Sequence, residues 1–181
     1  MALNETLPYG LRDVKLTAYT NATTLAGTSV DLPNSRTMTF EEAEDFEELR
    51  GDDKVVATRG KGPSVNWELE AGGISLEALV VLNGGTITSS GTTPAQVKTY
   101  KKKVTDARPE FKAEGQAISE SGGDFHVVLH RCKSTGGVTG SLGDGTFWLT
   151  GCKGQALPSR VTATLDGLYD FVQNETAVAP A

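Results

Sequence analysis

Two histidines, His126 and His130, stand four residues apart in FHVVLH, and on a helix that spacing would let both imidazoles bind one metal ion. The residues between them argue otherwise. Phe125, Val127 and Leu129 alternate with His126, Val128 and His130, which is the period of a strand. At about 3.3 Å per residue the two rings then lie roughly 13 Å apart, too far to hold one ion. Both read as ordinary surface or interface histidines, with no neighbouring acid to orient either ring. Glu68 and Glu70 share a strand face about 7 Å apart. Glycosidase carboxylates come from different elements across a cleft, so this pair reads as solvated surface. Asp144, in LGDGT, reads as a turn former, since the other ligands of an EF-hand loop are missing. Neither a GxSxG elbow nor a GxxxxGK[ST] loop occurs. Cys132 and Cys152 lie 20 positions apart without metal-ligand spacing and read as small buried hydrophobes. The expectation is a protein that is not an enzyme and uses no metal or cofactor.

The composition narrows the class further. A chain of 181 residues is enough for one domain with a true core, taken as 1–181. Its 38% hydrophobic content lies well above the disordered range, and its 21 glycines follow no three-residue period, which excludes collagen and favours a turn-rich sheet. A net charge of -6 argues against tight duplex binding, because affinity for the nucleic-acid backbone comes from Lys and Arg neutralising phosphates. It remains compatible with a surface past which nucleic acid slides without sticking. The start, MALNETLPYG, lacks a basic and then apolar export signal, so synthesis in the cytoplasm is expected. The longest apolar run, near 79–82, falls far short of the roughly 20 residues of a membrane helix, so no membrane insertion is expected.

The elements that would position these residues are mostly strands. After an N-terminal arm over 1–10, residues 11–20 alternate as a first strand, and 27–32 and 36–41 suggest two more. The cleanest strand is 64–71, with Val65, Trp67, Leu69 and Ala71 on one face and Asn66, Glu68 and Glu70 on the other. Residues 74–82 read as the one helix, stopped by Asn83-Gly84-Gly85 and apolar nearly all round; a strand is the competing assignment. A polar connection over 86–96 precedes a basic strand at 97–104. Residues 110–119 and 124–132 form the strongest hairpin signal. Further strands are expected at 145–152, 160–165 (weakly) and 168–173, before a polar C-terminal tail over 174–181. The fold expected is mainly β: a β-sandwich or partly closed β-barrel with one flanking α-helix and a long early loop.

That early segment, 41–63, is the least ordinary part of the chain. It reads EEAEDFEELRGDDKVVATRGKGP, acidic and then basic, with almost no period. Connections in compact domains are usually about 4–6 residues, and those beyond roughly 12–15 tend to be binding loops or disordered. Its acids Glu41, Glu42, Glu44, Asp45, Glu47 and Glu48 have no partner run of their own, and with Arg50 they are candidates for contact with a neighbouring subunit. Lys101, Lys102 and Lys103 allow three readings: a phosphate patch, an edge strand guarded by charge, or a basic rim that meets a neighbour's acidic segment. Opposite charges segregated along one chain suit self-assembly, and heterologous contacts of that kind close into rings or stack into filaments.

The succession VATRGKGPSVNWELEAGGISLEALVVLNGG, followed by FKAEGQAISESGGDFHVVLHRC and by TFWLTGCKGQALP, resembles the major tail tube proteins of long-tailed, non-contractile bacteriophages, most of all those of phages infecting actinobacteria. The resemblance spans roughly residues 50–171. It implies a β-sandwich or partly closed barrel flanked by one helix, six copies of which form a ring. Such rings would stack into a helical tube around a tape-measure protein, capped by tail terminal proteins, and double-stranded DNA would pass down the bore during genome ejection. The location implied is the virion tail. Residues 41–63 would be the extended assembly loop that packs on adjacent subunits, 74–82 the flanking helix, and 97–104, 111–119 and 125–132 candidate inter-subunit strands. Glu110, Glu114 and Asp124 would face the lumen, and Lys101–Lys103 would lie at a seam or outside. The alternatives are another virion or secretion-tube component, or a β-sandwich adhesion or decoration module of a tail.

Overall fold

The computed structural model describes residues 6–181. The expected N-terminal arm therefore lies partly outside the described residues. From Pro8 onward it is already strand.

Eleven strands and one α-helix follow in chain order: β1 (Pro8–Asn21), β2 (Thr24–Leu25), β3 (Val30–Asp31), β4 (Ser35–Gly51), β5 (Lys54–Gly72), α1 (Leu76–Asn83), β6 (Thr86–Ser90), β7 (Val97–Lys101), β8 (Glu110–Ser119), β9 (Asp124–Ser134), β10 (Leu149–Ala156) and β11 (Tyr169–Asn174). Nine of them form one antiparallel sheet in the order β2-β1-β8-β9-β10-β5-β4, with β3 added to β1 and β11 to β9; β6 and β7 make a separate pair. Among the described residues the main sheet does not close into a barrel.

β9 is where the sheet changes layer. Its first half, through Leu129, pairs with β11, while Cys132 to Ser134 pair with β10. Between the two halves lies a bulge: Phe111 pairs with Cys132 but Ala113 pairs with Leu129, so β9 carries an extra residue. The added twist lets β4 and β5 fold back over β8 and β11 in a sandwich-like arrangement. Met38 of β4 fills the space above Gly115 of β8, where a Cβ would collide with its sulfur. Phe40 packs on Phe171 with ring centroids 5.6 Å apart.

The core between the layers holds Val14 and Leu16 of β1, Val65, Trp67 and Leu69 of β5, Phe111 and Ala113 of β8, and Leu129 of β9. Trp67 meets Phe111 edge-on at 5.5 Å. Its ring also lies over Gly154 of β10, where any larger residue would clash with the indole. α1 covers one end of this core with Ala78, Val81 and Leu82 buried. Ser75 caps it, its Oγ accepting from the Ala78 N–H at 3.2 Å. The segment is thus helical, and the competing strand assignment does not hold.

Several expectations about elements change, and the basic strand expected at 97–104 ends at Lys101. The connection 86–96 contains β6, paired with β7 from Thr86–Lys101 to Ser90–Val97. Its polar sequence TITSS hid it because four of its five residues are exposed. The strand expected at 145–152 begins only at Leu149. The weak strand at 160–165 is a single 3-10 turn, Thr162–Thr164, where the Ser159 hydroxyl engages both the Val161 N–H and Thr164 Oγ1. Local side-chain bonds of this kind compete with sheet pairing.

Candidate assembly surface

The charged segment 41–63 is not an aperiodic loop. β4 and β5 pair from Ser35–Ala71 out to Gly51–Lys54 with three shifts of register, so the segment is the distal part of one long hairpin. Asp52 and Asp53 turn the chain with φ of 51° and 62°. Two consecutive positive φ values give the two-residue turn whose twist suits a hairpin, and a short Asp side chain tolerates that region. The period was illegible because neither face of the arm is covered. Between residues 41 and 63 only Ala43 and Gly60 are even partly buried. Eleven residues from Glu41 to the turn, at about 3.4 Å each, give an arm of about 35 Å.

The arm carries large apolar side chains into solvent. Phe46, Leu49, Val55 and Val56 are 62%, 64%, 49% and 65% exposed. A two-stranded ribbon is marginal in water without a third strand or a packed face. The interruptions in register between Glu44 and Phe46 and between Leu49 and Arg50 bend it away from the flat edge that invites indiscriminate pairing.

Every acidic candidate on the arm (Glu41, Glu42, Glu44, Asp45, Glu47, Glu48) is exposed, as is Arg50. They do not lack local partners, however, and that expectation is corrected. The hairpin register sets Glu47 opposite Arg59, Lys61 approaches Glu47 at 3.7 Å, and Arg50 binds Glu48 at 2.9 Å. Glu42 Oε2 accepts from the Tyr169 hydroxyl of β11 at 2.8 Å, fastening the root of the arm to the body. Eight acids against four bases still leave 41–63 net negative.

The lysines divide as well. Lys102 donates to Asn83 O and, at 2.9 Å, to Asp106 O, so its ammonium closes the C-terminal end of α1, where cations are favoured. The Lys103 N–H donates to Asp106 Oδ2 at 2.7 Å. The Lys101 and Lys103 side chains are exposed beside the β6–β7 pair.

The three acids expected at a lumen differ in exposure. Asp124 and Glu114 are buried, and Glu110 is half-buried with Oε2 at 4.0 Å from Arg131 Nε. Glu114 and Asp124 bracket His126: Nδ1 lies 2.8 Å from Glu114 Oε1 and Nε2 lies 3.0 Å from Asp124 Oδ2. His130 Nε2 lies 3.1 Å from Asp170 Oδ2. Both histidines are buried and both have acids, contrary to the sequence expectation. Burial pushes the Asp124 carboxyl up, but hydrogen bonds from Gln116, the Val178 N–H, Asn174 and His126 outweigh it and hold the group at about 2. Burial also raises Glu114, and Lys112 and His126 bring it below the usual carboxylate range. A sequence signal for this cluster did exist. Asp124 and His126 share a face two residues apart, and a tight turn after Ser119 places Gln116 opposite His126.

The candidate inter-subunit strands fare unequally. β8 lies between β1 and β9, and β9 between β8 and the β10–β11 side, so their backbone groups are used within the chain and they offer no free edge. Among the described residues β7 pairs on one side only, and β4 ends the main sheet.

Glu68 lines an open groove of about 600 Å³ with Thr39, Asn66 and Lys153, while Glu70 stands 3.6 Å from Arg36. No group of three or more His, Cys, Asp or Glu among the described residues is placed to hold a metal. Comparison of the chain with protein-family models finds no match, and comparison with curated proteins finds none.

Proposed function

We propose that the chain is a structural subunit that assembles with copies of itself, and that the assembly is a tube of the phage tail type. In that form hexameric rings stack around a tape-measure protein, double-stranded DNA passes through the bore without specific binding, and the product is part of a virion tail made in the bacterial cytoplasm. One observation carries the reading. The distal β4–β5 arm, about 35 Å long, holds four large apolar side chains and a negative charge excess with no core of its own to cover them. The open outer edge of β4 adds a row of backbone groups that a neighbouring copy can pair.

A second reading has its own support. β8 and β9 are fully paired inside the chain and the core is complete without a partner, as suits a self-sufficient β-sandwich module that decorates a tail or serves adhesion. Negative-stain electron microscopy of the purified protein separates the two. Regular hollow rods support the tube; single particles at every concentration support the module and sink the tube.

A further inference from the structure

The C-terminal tail does not hang free. Beyond β11 the chain turns back onto the polar face of β8 and β9, where the Val178 N–H donates to Asp124 Oδ2 at 2.8 Å. Val178 O accepts from Gln116 Nε2 at 2.8 Å and lies 3.0 Å from His126 Nε2. Asn174 Nδ2 donates to Asp124 Oδ1 at 2.8 Å, and Pro180 is buried. Both main-chain polar groups of Val178 are therefore taken by one buried side-chain cluster.

The centre of that cluster is the His126 ring, with a carboxylate against each nitrogen. An ionised carboxylate only accepts hydrogen bonds, so both contacts are satisfied only when both ring nitrogens carry protons. We propose that the C-terminal tail is a strap fastened through the His126 imidazolium, tight while the ring is doubly protonated and loosened when it loses a proton.

The groups around the ring fit this reading. From β8 come Glu114, its partner Lys112 at 2.9 Å, and Gln116. β9 supplies Asp124. β1 places Asp13 opposite Gln116 and Lys15 opposite Glu114. β11 sets the apolar Val172 opposite His126, with Asp170 two residues away beside His130, and the tail itself carries Glu175. Lys112 answers one of the two bracketing carboxylates, and the ring's own charge answers the other. Removing the Nε2 proton turns a lone pair onto Asp124 and the Val178 carbonyl, which pushes directly on the tail. Removing the Nδ1 proton leaves Glu114 with Lys112 and frees the ring to rotate. Burial lowers the affinity of His126 for its proton, but Glu114 and Asp124 outweigh that and raise it above the ordinary histidine value. A raised pKa means that the fastening is complete below the unfolded histidine value and is lost as pH rises through the folded one.

The test is hydrogen–deuterium exchange of the peptide 169–181 within the whole protein, from about pH 6 to about pH 9.5. Each rate is divided by that of the free synthetic peptide at the same pH. Protection of the tail is expected to fall about tenfold or more across the His126 titration, while protection of β8 stays constant. Glu114→Gln removes one stabilising charge and should move the midpoint to lower pH; His126→Gln should make tail protection independent of pH. If His126→Gln does not fold, Glu114→Gln decides alone. Flat protection in the natural protein, or an unmoved midpoint in Glu114→Gln, overturns the proposal.

Discussion

The β4–β5 hairpin is one continuous ribbon with two unlike halves. Near the body, Val65, Trp67, Leu69 and Ala71 alternate with exposed neighbours and bury against β8 and α1. Beyond Glu44 and Pro63 the same two strands keep their pairing but bury almost nothing. Backbone geometry is shared, so it cannot be what distinguishes them. The proximal half draws its stability from apolar area removed from water, on the order of 25 cal/mol per Å². The distal half has no such source in its own chain. A second copy would supply it.

The contrast sets the order of expected effects. Trp67→Ala, in the proximal half, should cost about 3–5 kcal/mol in chemical denaturation, because it empties the space beneath Gly154 and beside Phe111. Asp124 lies off the hairpin in an equally closed setting and makes a control. Its depressed carboxyl contributes stability that is complete above the unfolded aspartate value and is lost as pH falls through about 2. Melting temperature followed downward in pH should show this loss, and Asp124→Asn should remove that part of the pH dependence. Lys102→Ala should cost about 0.5–1 kcal/mol by uncapping α1. Phe46→Ser with Leu49→Ser, in the distal half, should change the stability of the isolated chain by less than about 0.5 kcal/mol and still abolish assembly. A large loss of stability from that pair would mean that the arm packs on its own body, and the contrast would fail.

The same contrast decides what the sequence could reveal. Strands with one covered face wrote their period plainly, as in Val65 to Ala71 and in the β8–β9 hairpin. The arm did not, because exposure on both faces lets Glu, Asp, Lys and Thr occupy any position, and its strands passed for a charged loop. β6 was missed for the same reason. The histidines follow a different logic. Strand spacing correctly separated His126 from His130, but their acids come from a neighbouring strand, from β11 and from the same strand face. Glu114 and Asp124, expected at a lumen, are committed to His126 and the tail through partners that lie across a strand or beyond β11, which sequence spacing does not bring together.

Sedimentation velocity of the full chain beside a variant with 44–63 replaced by Asn-Gly, closing the hairpin on the Ala43–Ser64 pair, tests the role of the arm most directly. With rising concentration the full chain should pass into large, fast species, while the shortened chain keeps its melting temperature and stays at the mass of one subunit. Equal assembly by both chains, or a full chain that never leaves the single-subunit mass, would contradict the account.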